Sequence, residues 1–178
     1  MNIKHSLAAS LACAALVSGT VPASARQLED LQAVAPAAAV ATSCGVQKST
    51  RIVTEDTLEF TETFGWGNAP SGSTTVTLTD TDCVVVTFSA SSACLIEPGN
   101  SDDGCFVRVL RNGTVMRPTG GVDGVGFAGE NIRSHAHSMQ WIARLAPGTY
   151  RIQVQWRTDG GGTRFVLGPR TLSVSVLQ

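Results

Sequence analysis

Residues 138 to 157 read SMQWIARLAPGTYRIQVQWR, and the period of their apolar side chains decides the fold class. Met139, Trp141, Ala143 and Leu145 share one parity, and after Ala146-Pro147-Gly148-Thr149 so do Tyr150, Ile152, Val154 and Trp156. Alternate side chains of an extended chain point to opposite faces, so this pattern predicts two strands, each with one buried face, broken by a turn. The four-residue connection predicts a hairpin in which Leu145 faces Tyr150, Ala143 faces Ile152, Trp141 faces Val154 and Met139 faces Trp156. Its other side then sets Arg144 opposite Arg151, Ile142 opposite Gln153, Gln140 opposite Gln155 and Ser138 opposite Arg157, a polar and arginine-rich face.

The same period extends in both directions. Thr75, Thr77 and Thr79 alternate with Val76 and Leu78, and Val84-Val85-Val86 is a continuous run suited to a strand buried on both faces. Phe106 to Leu110 and Thr114 to Met116 flank Arg111-Asn112-Gly113, where Asn-Gly is a strong short-range hairpin signal. Leu172, Val174 and Val176 point inward on a last strand. No helix-period segment of useful length follows residue 44. About eight short strands separated by turns predict an all-β fold, an antiparallel β-sandwich or jelly roll, over residues 44 to 178.

What precedes it sets the compartment. Lys4 and His5 lead an apolar run from Leu7 to Val17, followed by Ala23-Ser24-Ala25. This pattern predicts a secretory signal over residues 1 to 25, too short to span a bilayer, cleaved before Arg26. The mature chain then has 178 − 25 = 153 residues, enough for one core and too few for two. A second reading takes Ser10-Leu11-Ala12-Cys13 as a lipoprotein site with Cys13 acylated. Residues 26 to 43, rich in alanine, read as a flexible leader. Hydrophobic residues at 43% and charged ones at 15% exclude a disordered chain and a coiled coil.

Removing Cys13 with the signal leaves Cys44, Cys83, Cys94 and Cys105, an even number in an oxidising compartment, so two disulfides are expected. Three pairings are possible. Turn-forming residues from Glu97 to Gly104 favour Cys94 with Cys105, which leaves Cys44 with Cys83. Each bond contributes on the order of 3 kcal/mol by restricting the unfolded chain. No C-x-x-C knuckle supports zinc.

The residues from Phe106 to Pro118, Ser138-Met139-Gln140-Trp141, Pro147-Gly148-Thr149-Tyr150 to Trp156, and Leu172-Ser173-Val174 together resemble small secreted bacterial β-sandwich proteins. More distantly they are similar to the jelly rolls of tumour-necrosis-factor-like and phage-fibre modules. The resemblance covers about the C-terminal half of the chain and implies an extracellular, non-catalytic module. Such relatives frequently trimerise, which makes a homo-oligomer an expectation, but no binding residue carries over.

Charge divides along the chain. Residues 26 to 104 hold 3 basic and 11 acidic side chains, a net of −8, and residues 105 to 178 hold 9 basic and 3 acidic, a net of +6. One reading pairs the acidic strands with the basic ones, so that Glu59 or Glu62 neutralises a residue such as Arg151. A second is a bipolar surface that steers a partner or self-associates. A third is an arginine patch for an anionic polymer, formed by Arg144, Arg151 and Arg157 on one sheet face beside Gln155. Export and a slightly negative net charge argue against nucleic acid as partner.

Other constellations are weaker. Gly124-Val125-Gly126-Phe127-Ala128-Gly129 matches the letter of a dinucleotide fingerprint but lacks its strand-then-helix context, and reads as a loop. His135 and His137 project to one side of an extended segment and make a candidate metal pair, with Asp123 or Glu130 as a third ligand. Glu97, Asn100, Asp102 and Asp103 offer oxygen ligands for calcium, outside any EF-hand pattern. No G-x-S-x-G elbow is present. The carboxylate pairs Glu59 with Glu62 and Asp80 with Asp82 read as solvated residues before they read as a glycosidase site. The single Thr75–Thr77–Thr79 ladder is too small for an ice-binding face. Trp66, between Gly65 and Gly67, is a candidate for stacking on a sugar or for packing against the sandwich end. The expectation is a secreted or periplasmic, non-enzymatic binding module for an extracellular glycan or protein, with no resident cofactor. The alternatives are a carbohydrate-binding module using Trp66, and a small hydrolase whose pocket would join His135 or His137 to a carboxylate.

Overall fold

A computed structural model describes residues 44–97, 104–118, 124–128 and 134–178. The expected signal and leader, and the calcium candidates Asn100, Asp102 and Asp103, lie outside the described residues, as do Asp123 and Glu130. Ten strands and no helix occur among the described residues: β1 (Gln47–Glu55), β2 (Glu59–Thr61), β3 (Gly67–Leu78), β4 (Asp82–Leu95), β5 (Cys105–Arg111), β6 (Thr114–Val115), β7 (Val125–Ala128), β8 (His135–Leu145), β9 (Gly148–Thr158) and β10 (Arg164–Leu177). They form two antiparallel sheets. The first runs β1-β10-β4-β8 with β2 also on β10, and the second runs β3-β9-β5-β6 with β7 also on β5. Without the short β2 and β6, the remaining eight are ordered 1-8-3-6 and 2-7-4-5 in the two sheets, a jelly-roll order.

The inner faces carry the alternation read from the sequence. Trp141 and Leu145 of β8 are buried, as are Ile152, Val154 and Trp156 of β9 and Leu172, Val174 and Val176 of β10. Val84 and Val86 lie in β4, between β10 and β8, and are fully buried. Asn112 and Gly113 both adopt positive φ, 47° and 83°, which is the geometry a two-residue hairpin turn requires.

The predicted pairing of residues 138–145 with 150–157 is overturned. β8 pairs with β4, so Trp141 lies beside Val86 and Arg144 beside Cys83, whereas β9 pairs with β3 and β5 in the other sheet. Pro147 and Gly148 therefore carry the chain from one sheet to the other. Parity is the same for a hairpin and for two strands whose apolar faces meet across a core, which is why alternation could not separate them. The segment from Gly124 to Ala128 is also not a loop: Val125–Ala128 is a strand, and Phe127 is buried.

Both disulfides form as expected, Cys44 with Cys83 and Cys94 with Cys105. The second ties β4 in one sheet to β5 in the other. A buried arginine makes a further tie. Arg170, 4% exposed, follows an irregularity in β10 where the register shifts between Leu167 and Arg170. Its Nε donates to Pro70 O of β3 at 2.9 Å, and its Nη1 donates to Thr57 O at 2.8 Å and Gly168 O at 3.1 Å. Glu55 organises the same corner. Its carboxylate accepts from the amides of Asp56 and Thr57, both at 3.1 Å, and from Ser71 Oγ at 2.9 Å. Ser71 adopts φ 52°, which leaves its hydroxyl within reach of that carboxylate.

The Ser71 hydroxyl, then the Thr57 contacts, hold the Glu55 carboxyl below its ordinary value, and Arg170 adds to the effect. A depressed carboxyl stabilises the fold above its unfolded pKa and loses that contribution as pH falls through the folded value. Thermal melts between pH 6 and pH 3, values chosen to bracket a carboxylate titration, should therefore fall less steeply for Glu55→Gln than for the parent. Arg170→Met should lower stability by about 1–3 kcal/mol for each carbonyl left without its donor, measured by urea unfolding.

Candidate functional site

The outer face of the second sheet brings together three of the five candidate ligand-binding residues, Trp66, Gln155 and Arg157, and carries a fourth, Arg151, farther along β9. Gln155 and Arg157 point outward from β9, on the parity opposite to buried Val154 and Trp156. On neighbouring β5, Arg108 lies beside Gln155 and Phe106 beside Arg157, while Asn68 of β3 flanks Gln155 on its other side. Trp66, half-buried, sits over this group from the segment that leads into β3. The Arg108 guanidinium carbon lies 4.2 Å from the centre of the indole and that of Arg157 lies 5.2 Å from it. Arg157 is also 5.4 Å from the Phe106 ring.

Hydrogen bonds fix the orientation. Arg108 Nε donates to Gln155 Oε1 at 2.8 Å, and Gln155 Nε2 donates to Asn68 Oδ1 at 3.1 Å. The indole needs the space in front of Gly124. At that position φ is +83°, and a Cβ would stand 2.5 Å from Trp66 Cη2 and 2.9 Å from Cζ2. Guanidinium over an aromatic face is an attractive electrostatic arrangement, of about 0.5–2 kcal/mol depending on desolvation. The two cations nonetheless repel. Partial burial, then the charge of Arg157, pull the Arg108 pKa below its ordinary value. The group remains a cation at neutral pH. What results is a positive, semi-rigid platform edged by two amides. Trp66 serves it as a support for the guanidinium groups, with its ring partly covered by them.

The arginine patch expected on one hairpin face does not form. Arg151 is on the outer face of the second sheet, beside Thr75 and the Asn112 turn, six residues and about 20 Å along β9 from Arg157. Arg144 is exposed on the first sheet, so it neither opposes nor repels Arg151. Acidic and basic halves do meet, with other partners than Arg151: Glu62 pairs with Arg164 at 2.5 Å. Lys48 binds Asp82 at 2.8 Å and Asp80 at 3.4 Å, within the acidic half. Arg108 was not singled out from the sequence. The alternation Phe106-Val107-Arg108-Val109 places it outward, but its apposition to Gln155 depends on pairing across 47 residues.

A groove of about 450 Å³ opens on the other side of the molecule, lined by Thr54, Asp56, Ser89, His137, Ser138 and Arg170 among others. It joins a histidine to a carboxylate, as the hydrolase reading required. His137 Nδ1, however, is 2.7 Å from Ser92 Oγ, and Ser92 is fully buried, so a substrate has no route to that hydroxyl. Ser89 and Ser138, which do line the groove, hydrogen-bond to each other at 2.8 Å. The rings of His135 and His137 are 6.4 Å apart, and no three metal-ligating side chains are grouped among the described residues.

The support role of Trp66 is testable. Gly124→Ala should displace the indole and strain the backbone by about 1–3 kcal/mol. Because Trp141 and Trp156 are buried, iodide quenching of intrinsic fluorescence should rise through Trp66. The chain matches no family model and no curated protein.

Proposed function

We propose that this protein is an exported, non-enzymatic binding module, its signal removed after Ala25, whose Trp66–Arg108–Arg157 platform takes the acidic groups of an extracellular glycan. The observation that carries this reading is the convergence of two guanidinium groups on one indole beside the Gln155 and Asn68 amides. Guanidinium forks match carboxylate and sulfate oxygens, and side-chain amides both donate to and accept from sugar hydroxyls. Gln153 and Arg151 continue the same outward row of β9, so an extended polymer has polar contacts along about 20 Å. Two disulfides fit an extracellular location, and no helix among the described residues is long and apolar enough to cross a membrane.

Immobilised heparin and polygalacturonate, with neutral dextran as control, provide the test. Binding to at least one acidic polymer is expected, weakening with added salt because exposed charges are screened. Arg108→Ala should weaken it about tenfold, the loss of one charge-assisted contact of roughly 1.5 kcal/mol. Arg144→Ala, on the opposite sheet, should leave it unchanged. Equal affinity for dextran, or no change in Arg108→Ala, sinks the reading.

A further inference from the structure

The outer face of the first sheet has a composition unlike the rest of the surface. Strand register aligns its side chains in rows across β1, β10, β4 and β8. One row is Thr54, Thr171, Ser89 and Ser138. The next is Ile52, Ser173, Thr87 and Gln140. The third is Thr50, Ser175, Val85 and Ile142. Of these twelve positions, eight carry hydroxyls, one an amide and three aliphatic groups, and none carries a charge. All twelve are exposed or half-exposed. Charge lies around the rows: Asp56 and Arg170 line the groove beside the first, Lys48 and Arg144 follow the third on β1 and β8, and Arg164 stands farther along β10.

Three hydrogen bonds join neighbours within the array. Thr50 Oγ1 lies 3.0 Å from Ser175 Oγ, Ser89 Oγ lies 2.8 Å from Ser138 Oγ, and Gln140 Nε2 donates to Thr87 Oγ1 at 3.2 Å. Threonine is stiff at χ1 because it is branched at Cβ. Neighbouring strands are about 4.8 Å apart and successive rows about 6.7 Å apart, so at ideal spacing the twelve positions cover about 14 by 13 Å, and the first row also lines the groove that holds Asp56, His137 and Arg170.

We infer that this face binds ice. Ions are rejected from ice because their hydration shells do not fit its lattice, and charge-free rows meet that requirement. Hydroxyls both donate and accept, so lattice water can continue their bonds, while Ile52, Val85 and Ile142 leave water ordered around apolar groups. Other occupants fit less well. With a side-chain margin the patch is about 400 Å², half of the roughly 800 Å² that each partner of a stable dimer buries. None of the twelve positions is aromatic, so a sugar ring finds nothing planar to stack on. This inference is independent of the glycan platform, which lies on the other sheet.

The experiment is partition of the exported chain into ice grown slowly on a cold finger, with albumin in the same solution. Enrichment in the ice fraction over albumin is expected, together with loss of that enrichment in Ser173→Lys and in Gln140→Lys, each checked for an unchanged melting temperature. Arg108→Ala should partition as the parent does. Exclusion of the parent to the same degree as albumin overturns the inference, as does undiminished enrichment in both lysine variants. Retention on insoluble chitin or cellulose without ice enrichment overturns it in favour of a polysaccharide. A mass that doubles with concentration in the parent but not in Ser173→Lys, without enrichment, overturns it in favour of a second copy.

Discussion

Trp156 of the second sheet lies 5.5 Å from Phe165 of the first, and Phe127 meets Phe88 at 5.4 Å and Phe165 at 6.3 Å across the same gap. These contacts between rings of opposite sheets are what the remaining structure depends on. Each sheet has one apolar face, and neither is stable in water unless the other covers it. Burying the apolar side chains of both inner faces, these rings and the Val, Leu and Ile around them, supplies most of the favourable free energy, at about 25 cal/mol per Å² of apolar surface. Once the inner faces are committed to each other, every second residue of every strand is committed to one of two outer surfaces. The platform and the hydroxyl rows are those two surfaces.

Apolar burial is non-directional, so it does not by itself fix how the two sheets sit at their margins. Directional contacts do that here. The Cys94–Cys105 bond joins β4 to β5, and Arg170 reaches from β10 to Pro70 in β3 and to Thr57 beyond β1. Arg170 is costly to bury, since a cation leaves water, and three carbonyl acceptors offset that cost only in part. The carbonyls come from one corner where the β3 and β10 ladders shift register and β1 has ended, so backbone groups need other partners, and Glu55, the last residue of β1, adds its carboxylate there. The corner thus uses unsatisfied backbone as an acceptor set for a buried cation.

The two outer surfaces differ because their side chains do. Arg108 and Arg157 are held close on the second sheet despite their repulsion, with indole and amide contacts opposing it. On the first sheet, short uncharged side chains satisfy each other in pairs. A protein with both has two chemically unlike faces separated by the thickness of one core. The charge division along the sequence follows in part from this arrangement. β5 and β9 supply the cations of the second sheet, while β1 and β4, from the acidic half, contribute only neutral residues to the hydroxyl rows.

Alternation along single strands was enough to place Trp141, Val154, Leu172 and their neighbours inside, and Gln155 and Arg157 outside, because side-chain direction is a local property of extended backbone. Turn chemistry and an even cysteine count were likewise enough for the Asn112-Gly113 turn and both disulfides. Partnership between strands was not legible. Whether β8 and β9 form a hairpin or face each other from two sheets leaves every parity unchanged, so Arg144 was set beside Arg151 when an entire core separates their sheets. The same limit hid Arg108 from Gln155 and scattered the hydroxyl rows across residues 50 to 175. Those sites are built from register between strands distant in sequence, which burial and topology decide together, and only the tertiary structure holds that information.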